Sequence, residues 1–373
     1  MGVLRIAFVT QFFPPSNGAM QTGGTISNRN LLRALAERWP VTVLSFDTTS
    51  AVEDFHDEPY QVVSRPPPRW RGPDLFLHWM NFVREESRAF LHDFARPPAL
   101  IGTTSTLPCF DAAPEGSHRV AIVQAYENFG WRCPHVPASS RISLAKQAVI
   151  RRFQDVRLMR KADGILTNSS FMKRAISERF KVGDDRISIM PQLCDIQAPA
   201  GPAVPDTIGF VHRGADKNIA LVLELARRAP DLQFRIFGHS ADLPLNLPPN
   251  ASFLGWASDR QAMFESAALW LVPSLWSEPF GRVSIEAQAA DRAVLVVNRG
   301  GLPETVFNPR FVIDGFDAGA WLQRVRELLQ LPPASLASNG QRIREAFSPE
   351  RHDSLVIEAM TRIIDQPQEM RLA

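Results

Sequence analysis

Leu269-Trp-Leu-Val-Pro-Ser-Leu-Trp-Ser-Glu278-Pro-Phe-Gly-Arg-Val-Ser-Ile-Glu286-Ala-Gln-Ala-Ala290 reads as a strand, a loop and a helix in direct succession. The run Leu269–Val272 is wholly apolar, as in a strand buried on both faces. Pro273 ends it, the loop carries Glu278, and a helix opens around Gly281–Arg282. Free N–H groups and the dipole at that start favour a phosphate. Gly281 lets a ligand approach the backbone closely. Glu278 and Glu286 lie eight residues apart with the turn between them. Glu286 sits more than one turn into the helix and so cannot cap it. Most glutamates are solvated surface charges. Two that frame a helix start suit a site holding a sugar on one carboxylate and a ribose on the other.

The same alternation extends along the chain and predicts parallel α/β domains. Strands are expected at Leu4–Thr10, Val41–Phe46, Ala99–Thr103, Val120–Val123, Gly164–Thr167 and Arg186–Ile189 in the first half. Those of the second half are expected at Thr207–His212, Gln233–Phe237, Ser252–Leu254, Leu269–Val272, Ala293–Val297 and Phe311–Ile313. Helices are expected between them, including Ser27–Arg38, Trp79–Phe94, Ile142–Arg160, Phe171–Phe180, Asn218–Arg228, Asp259–Ala267 and Arg282–Ala290. Ser258 with Gln261 has capping-box spacing, and Ser169 or Ser170 suits an N-cap. The Pro- and Ala-rich stretch Gln197–Pro205 is the weakest for packing and marks the domain linker. This gives a first domain over residues 1–196, a second over 197–350, and a C-terminal helix, about Asp353–Asp365, within 351–373 that crosses back to the first.

Composition excludes several function classes. A chain of 373 residues is long enough for two domains, and 45% hydrophobic with 21% charged residues is an ordinary globular balance. A net charge of +2 carries no nucleic-acid signature. The three cysteines, Cys109, Cys133 and Cys194, form no CxxC pair, so neither a metal site nor a disulfide framework is expected and a reducing cytoplasm is the default. No stretch has the apolar length of a membrane span.

Other segments carry candidate chemistry. His212-Arg213-Gly214-Ala215-Asp216-Lys217-Asn218 lies between a strand and a helix. Arg213 offers a planar fork and Lys217 a point charge, both suited to a diphosphate; the bland reading is two exposed bases on a turn. Phe12-Phe13-Pro14-Pro15-Ser16-Asn17-Gly18 and Gly23-Gly24 follow the first strand without a GxGxxG fingerprint. Gln124-Ala125-Tyr126-Glu127-Asn128 follows Val120–Val123, at a strand's carboxyl end where α/β sites form. Gln124, Tyr126 and Glu127 are candidates for an acceptor or sugar pocket, against the even alternative of a structural loop. Ile142, Ala145, Val149, Phe153 and Val156 share a helical face beside Arg141, Lys146, Arg151, Arg152, Arg157, Arg160 and Lys161. Such a helix suits peripheral contact with anionic lipid headgroups, but a core-packed helix with a solvated basic side is the favoured reading. Trp70, Phe76, Trp79 and Phe82 suit either an acceptor groove or simple packing.

Glu278-Pro-Phe-Gly-x4-Glu286 resembles the Glu-x7-Glu motif of the retaining glycosyltransferases of family 4. Gly300-Gly301-Leu302-Pro303-Glu304 is similar to that family's Gly-Gly-x-Pro-Glu element, and Phe253-Leu254-Gly255-Trp256 to its loop beside the nucleotide base. All three stand in the family's order and cover about half of the second domain. The Pro-Pro and Gly-Gly pieces of the first domain resemble the family's Pro-Pro-x-x-Gly-Gly loop, lengthened here, with Gly24 the better match. Ile187–Asp195 resembles its interdomain element, with Gln192 and Leu193 in place of Asn-Gly. Many members carry a His near the place of Gln124; this chain has none in that place.

The resemblance implies the GT-B fold: two Rossmann-like, doubly wound α/β domains facing across a cleft. It implies a retaining, nucleotide-sugar-dependent transferase acting on an acceptor hydroxyl in polysaccharide, glycolipid or glycoside biosynthesis. Glu278, Lys217 and Arg213 take the catalytic roles by this likeness. Glu286, Phe280, Gly281, Arg282, Gly255, Leu254 and Gly24 take the donor. The acceptor class is a glycan, a lipid-linked sugar or a small molecule. No cofactor and no metal is expected, because no Asp-x-Asp motif stands in a sensible place and the basic pair can neutralise the diphosphate. Two alternatives stay open: a nucleotide-sugar epimerase or phosphorylase on the same fold, and a catalytically silent sugar-nucleotide- or glycan-binding subunit.

Overall fold

The computed structural model describes residues 3–14, 23–46, 55–68, 75–127, 129, 155–240, 243–244 and 246–366. Residues 15–18, Trp70 and most of the amphipathic stretch 142–160, up to 154, lie outside the described residues, as does the side chain of Phe76.

The described residues group into two compact units. One runs to Pro191 and takes in the chain again from His352; the other is Gln192–Arg351. The first holds β1 (Ile6–Thr10), β2 (Val41–Ser45), β3 (Gln61–Ser64), β4 (Ala99–Thr103), β5 (His118–Ile122), β6 (Gly164–Thr167) and β7 (Ile187–Ile189). Their order is β3-β2-β1-β4-β5-β6-β7. The second holds β8 (Thr207–His212), β9 (Gln233–Gly238), β10 (Ala251–Gly255), β11 (Leu269–Val272), β12 (Ala293–Val297) and β13 (Val312–Ile313), in the order β10-β9-β8-β11-β12-β13. All their pairings are parallel, and each sheet reverses its winding beside its first strand, the doubly wound pattern. The central strands β1, β2, β4, β11 and β12 are buried throughout, as parallel strands covered on both faces must be.

Most helices follow the sequence period. They are α1 (Gly23–Ala36), α2 (Leu75–His92), α3 (Ser170–Phe180), α4 (Ile219–Arg228), α5 (Arg260–Glu265), α6 (Arg282–Ala289), α7 (Ala318–Leu329), α8 (Pro333–Ala346) and α9 (Pro349–Asp365). Several starts differ from expectation. α1 begins at Gly23 rather than Ser27, so the glycine pair forms its first turn. α9 begins at Pro349 rather than Asp353: the Ser348 hydroxyl accepts from the Arg351 N–H at 3.1 Å, and proline needs no partner for a missing N–H at a helix start. The cap of α5 is Asp259, which accepts from Ala262 N at 3.0 Å, not Ser258. Ser169 caps α3 through Met172 N, also at 3.0 Å. β3 escaped the sequence reading because it is a short edge strand with one fully buried side chain.

Val356, Ala359, Met360 and Ile363 of α9 join the core of the first unit with Ile6, Phe8, Leu35 and Leu166. Gly164 makes room for them, since a Cβ there would lie 2.6 Å from Ile363 Cγ1. Ile363→Ala is therefore expected to cost about 2–4 kcal/mol, read as a lowered denaturant midpoint at unchanged m-value.

The described end of the basic stretch pairs within the protein. Arg157 Nη1 and Lys161 Nζ reach Asp111 Oδ1 at 3.0 and 2.8 Å, and Arg160 donates to Phe180 O at 3.1 Å. Burial pushes the Asp111 carboxyl up, but these bonds outweigh it and hold it below its usual range. Trp79 and Phe82 pack edge-on against the buried Phe46, with centroids at 5.5 and 5.2 Å, so this part of the aromatic set packs rather than standing free.

Candidate active site

In a doubly wound sheet, ligands bind outside the carboxyl ends of the strands where the winding reverses. In the second unit that place lies between β8 and β11, which pair directly. The segments leaving these two strands meet there. After β8 a tight turn, Ala215–Lys217, is followed by Asn218 in the left-handed region at φ 63°. After β11 comes the loop with Glu278. Lys217 Nζ donates to Glu278 Oε1, and Ser274 Oγ donates to the same oxygen at 2.6 Å. The Leu275 N–H donates to Asp216 O at 2.8 Å, lacing the two loops together. Lys217 Nζ also stands 5.1 Å from the Trp276 ring centroid.

Glu278 is only 8% exposed. Burial pushes its carboxyl up, yet the ammonium of Lys217, with hydrogen bonds from Lys217 and Ser274, outweighs burial and holds it below its ordinary value. It is thus a buried, ionised carboxylate. Arg213 lies 5.2 Å above the Trp256 ring and has no carboxylate partner among the described residues. Desolvation of its guanidinium and the like charge of Arg282 lower its pKa, partly offset by Glu278.

Two glycines seat the Glu278 loop. Gly300 is in the left-handed region at φ 65°, and a Cβ there would lie 2.6 Å from Glu278 N. Gly301 donates its N–H to Glu278 O at 2.7 Å, and its own Cβ would meet Pro279 O at 2.6 Å. Gly281 at φ 130° precedes α6, where a Cβ would strike Leu302 Cδ2 at 2.6 Å. Phe280 is buried edge-on against Phe347, so its role is to anchor the loop.

Glu286 lies one turn into α6 and is buried, with its side chain 6% exposed. Arg282 Nη2 reaches its Oε1 at 2.7 Å, and Arg260 Nη2 reaches the same oxygen. Arg260 Nη2 also meets Asp195 Oδ1 at 3.1 Å. Arg260 was absent from the sequence-based set. The signal available was its position: a cation in the first turn of a helix, where the dipole disfavours it. At the end of β10, Leu254 and Trp256 are 52% and 54% exposed around Gly255 at φ 73°, with His239 stacked on Trp256 at 5.4 Å.

The first-unit candidates are disposed less uniformly. Gly24 lies in the first turn of α1, whose N–H groups have no partner within the helix. Gln124 Nε2 donates to Ser27 Oγ at 2.8 Å, and Gln124 O accepts from Asn168 Nδ2 at 3.1 Å, so Gln124 ties β5 to α1 and β6. Glu127 is exposed. Tyr126 is buried, 3% exposed, with its ring edge-on to Phe129 at 5.3 Å; the ring packs inward instead of lining an open pocket. Among the described residues, no group of three or more His, Cys, Asp or Glu side chains converges as a metal-ligand set. No helix among them is long and apolar enough to cross a membrane.

Comparison with known proteins agrees with this architecture. Residues 22–198 match the model of Glycosyltransferase Family 4, and residues 197–345 that of Glycosyl transferases group 1. A D-inositol 3-phosphate glycosyltransferase of Mycobacterium sp. (strain JLS) is 25% identical over 246 residues, 55% of this chain and 56% of that protein. One from Mycolicibacterium smegmatis is 36% identical over 97 residues, 25% of this chain and 22% of that protein. The chain thus spans about half the length, or less, of these curated relatives. Sucrose-phosphate synthase from Thermosynechococcus elongatus superposes with a TM-score of 0.76 at 18% identity, covering 96% of this chain and 99% of that one. Anabaena HepE, solved with UDP and glucose, gives 0.70 at 14% identity, covering 96% and 99%. The two family models meet at residues 197–198, so each glycosyltransferase model matches a different Rossmann-like stretch of the chain, and the structural neighbours of the whole have the GT-B fold.

Proposed function

We propose that the protein transfers a sugar from a nucleotide-sugar donor to an acceptor hydroxyl with retention of anomeric configuration. The observation that carries this reading is the ion pair between the half-buried Lys217 and the buried Glu278 at the β8/β11 winding reversal. The likeness to glycosyltransferases, among them a neighbour solved with UDP and glucose, supports a nucleotide-sugar donor. In this reading Glu278 holds sugar hydroxyls and orients the donor, and Glu286 takes the ribose. Lys217, Arg213 and the start of α6 stabilise the diphosphate as its negative charge grows, with no metal required. The acceptor oxygen attacks the anomeric carbon from the face the diphosphate leaves. The carbon–oxygen bond to the phosphate breaks as the new glycosidic bond forms, and the acceptor's proton passes to the departing phosphate oxygen. No protein nucleophile is then needed. The acceptor is a hydroxyl of a glycan, a lipid-linked sugar or a small molecule.

Two measurements test this. In a thermal-shift panel, at least one of UDP, GDP, ADP and dTDP is expected to raise the melting temperature; a flat panel would overturn the donor site. Incubation of the corresponding nucleotide sugars should then yield a retained-configuration glycoside only when acceptor is present, and equally in EDTA. Conversion of the sugar without acceptor would favour an epimerase instead.

A further inference from the structure

We infer that Arg260 and Arg282 are positioning residues that turn Glu286 into a one-oxygen acceptor for a ribose diol, so that the site selects ribonucleotide donors over 2′-deoxyribonucleotide donors. The inference rests on the reading of Glu286 as the ribose ligand. Three contacts converge on Oε1: Arg260 Nη2, Arg282 Nε at 3.0 Å and Arg282 Nη2 at 2.7 Å. A carboxylate oxygen has about two lone-pair sites, so Oε1 is saturated. Oε2 has no hydrogen-bond or ion-pair partner among the described residues. Oε2 is not sealed from solvent, so on a carboxylate whose other oxygen is already paired it stands open to a ligand donor, which would make a charge-assisted bond there.

The clamp also fixes where Oε2 points. Arg282 reaches Glu286 from the first residue of its own helix and Arg260 from the first residue of α5, so two elements set the carboxylate plane. Asp195 holds Arg260 from behind at 3.1 Å. With both arginines paired, the only chemistry left to Oε2 is to accept from a donor group of the ligand. A ribose presents two vicinal hydroxyls and can fill both lone-pair sites. A 2′-deoxyribose presents one and leaves a charge-assisted bond unmade. Donors built on thymidine are therefore disfavoured, and the nucleoside is a ribonucleoside.

The test measures dissociation constants by calorimetry for matched pairs: UDP and dUDP, GDP and dGDP, ADP and dADP. For the best-binding base, wild type should favour the ribonucleotide by about tenfold, the worth of one charge-assisted hydrogen bond. Arg260→Gln should weaken ribonucleotide binding severalfold and leave the deoxynucleotide nearly unchanged, while Arg282→Gln, at the diphosphate-facing start of α6, should weaken both but the ribonucleotide more, so in each the ratio falls toward one, as it should in Glu286→Gln. Arg260→Lys, which keeps the charge but not the fork, should narrow the ratio while retaining the wild-type melting temperature, and it carries the test if Arg260→Gln fails to fold. Equal binding of ribo and deoxy forms by wild type overturns the inference while leaving the donor reading intact. So does a ratio that collapses in Glu286→Gln but persists in both arginine variants. Binding of no nucleotide by wild type overturns the donor reading itself.

Discussion

Lys217→Ala is expected to lower the rate of sugar transfer by about 10²–10³-fold, the usual cost of removing one electrostatic stabiliser of a developing oxyanion. Two effects combine. The cation that faces the departing diphosphate is gone, and Glu278 loses the partner that keeps it ionised. Burial pushes the Glu278 carboxyl up, and chiefly Lys217 reverses that push. Stability should therefore change its pH dependence as well as its size. In the wild type the folded-state pKa of Glu278 lies below its ordinary value of 4.5. The unfolded chain then binds more protons in the interval below 4.5, so this group's contribution is fully present above that pH and is lost as pH falls through the depressed folded value. In Lys217→Ala burial prevails and the folded-state pKa lies above the ordinary value. Relative stability should then rise as pH falls through that raised folded value, the opposite sign. The loss near neutral pH should be about 3 kcal/mol, as for a buried charge deprived of its partner. Denaturant melts at several pH values measure it. Glu278→Gln is the control, with transfer reduced and this pH dependence abolished. Turnover within threefold of wild type in Lys217→Ala would remove the pair from the chemistry.

The fold was largely legible because its signals are local. Apolar runs such as Leu269–Val272 and Ala293–Val297 need only their own residues to announce a strand covered on both faces, and both are found at those bounds. Lys217 and Glu278 were legible for a related reason: each leaves the end of such a strand, and strand order alone brings the two ends together. Side-chain partnership was not legible. Glu286 was expected to face a ligand by itself, yet it shares one oxygen with Arg282 and with Arg260, which comes from another helix. Nothing in the spacing of Arg260 to Glu286 encodes that contact; sheet winding and the start of α5 create it. The two arginines do leave a trace in the sequence. Each begins a helix, where the positive end of the dipole disfavours a cation, and one buried carboxylate compensates both. Tyr126 shows the converse limit. A tyrosine just past a strand end reads equally as pocket or packing, and only its contact with Phe129 places the ring inside.

Gly300→Ala should be nearly as damaging to transfer as the loss of Lys217, although Gly300 carries no side chain to the site. At φ 65° any other residue pays about 1–2 kcal/mol of left-handed strain. At this position a Cβ would also lie 2.6 Å from Glu278 N and 2.6 Å from Ser277 C. Those atoms are backbone, so no rotamer change relieves the overlap and the Glu278 loop itself must move. Movement there breaks the Gly301 N–H bond to Glu278 O and shifts the carboxylate that Lys217 and Ser274 hold. A displacement of about 1 Å at a reacting centre is enough for a 10²-fold loss of rate. The expected result is a stability loss of about 2–4 kcal/mol with turnover reduced about 10²-fold. Gly315→Ala separates strain from overlap. Gly315 has nearly the same backbone angle, φ 68°, but a Cβ there meets nothing within 4 Å. That variant should lose about 1 kcal/mol and keep wild-type turnover. If the two glycine variants fall together in melting temperature and in rate, backbone strain alone explains both, and the Gly300–Glu278 contact does not position the carboxylate.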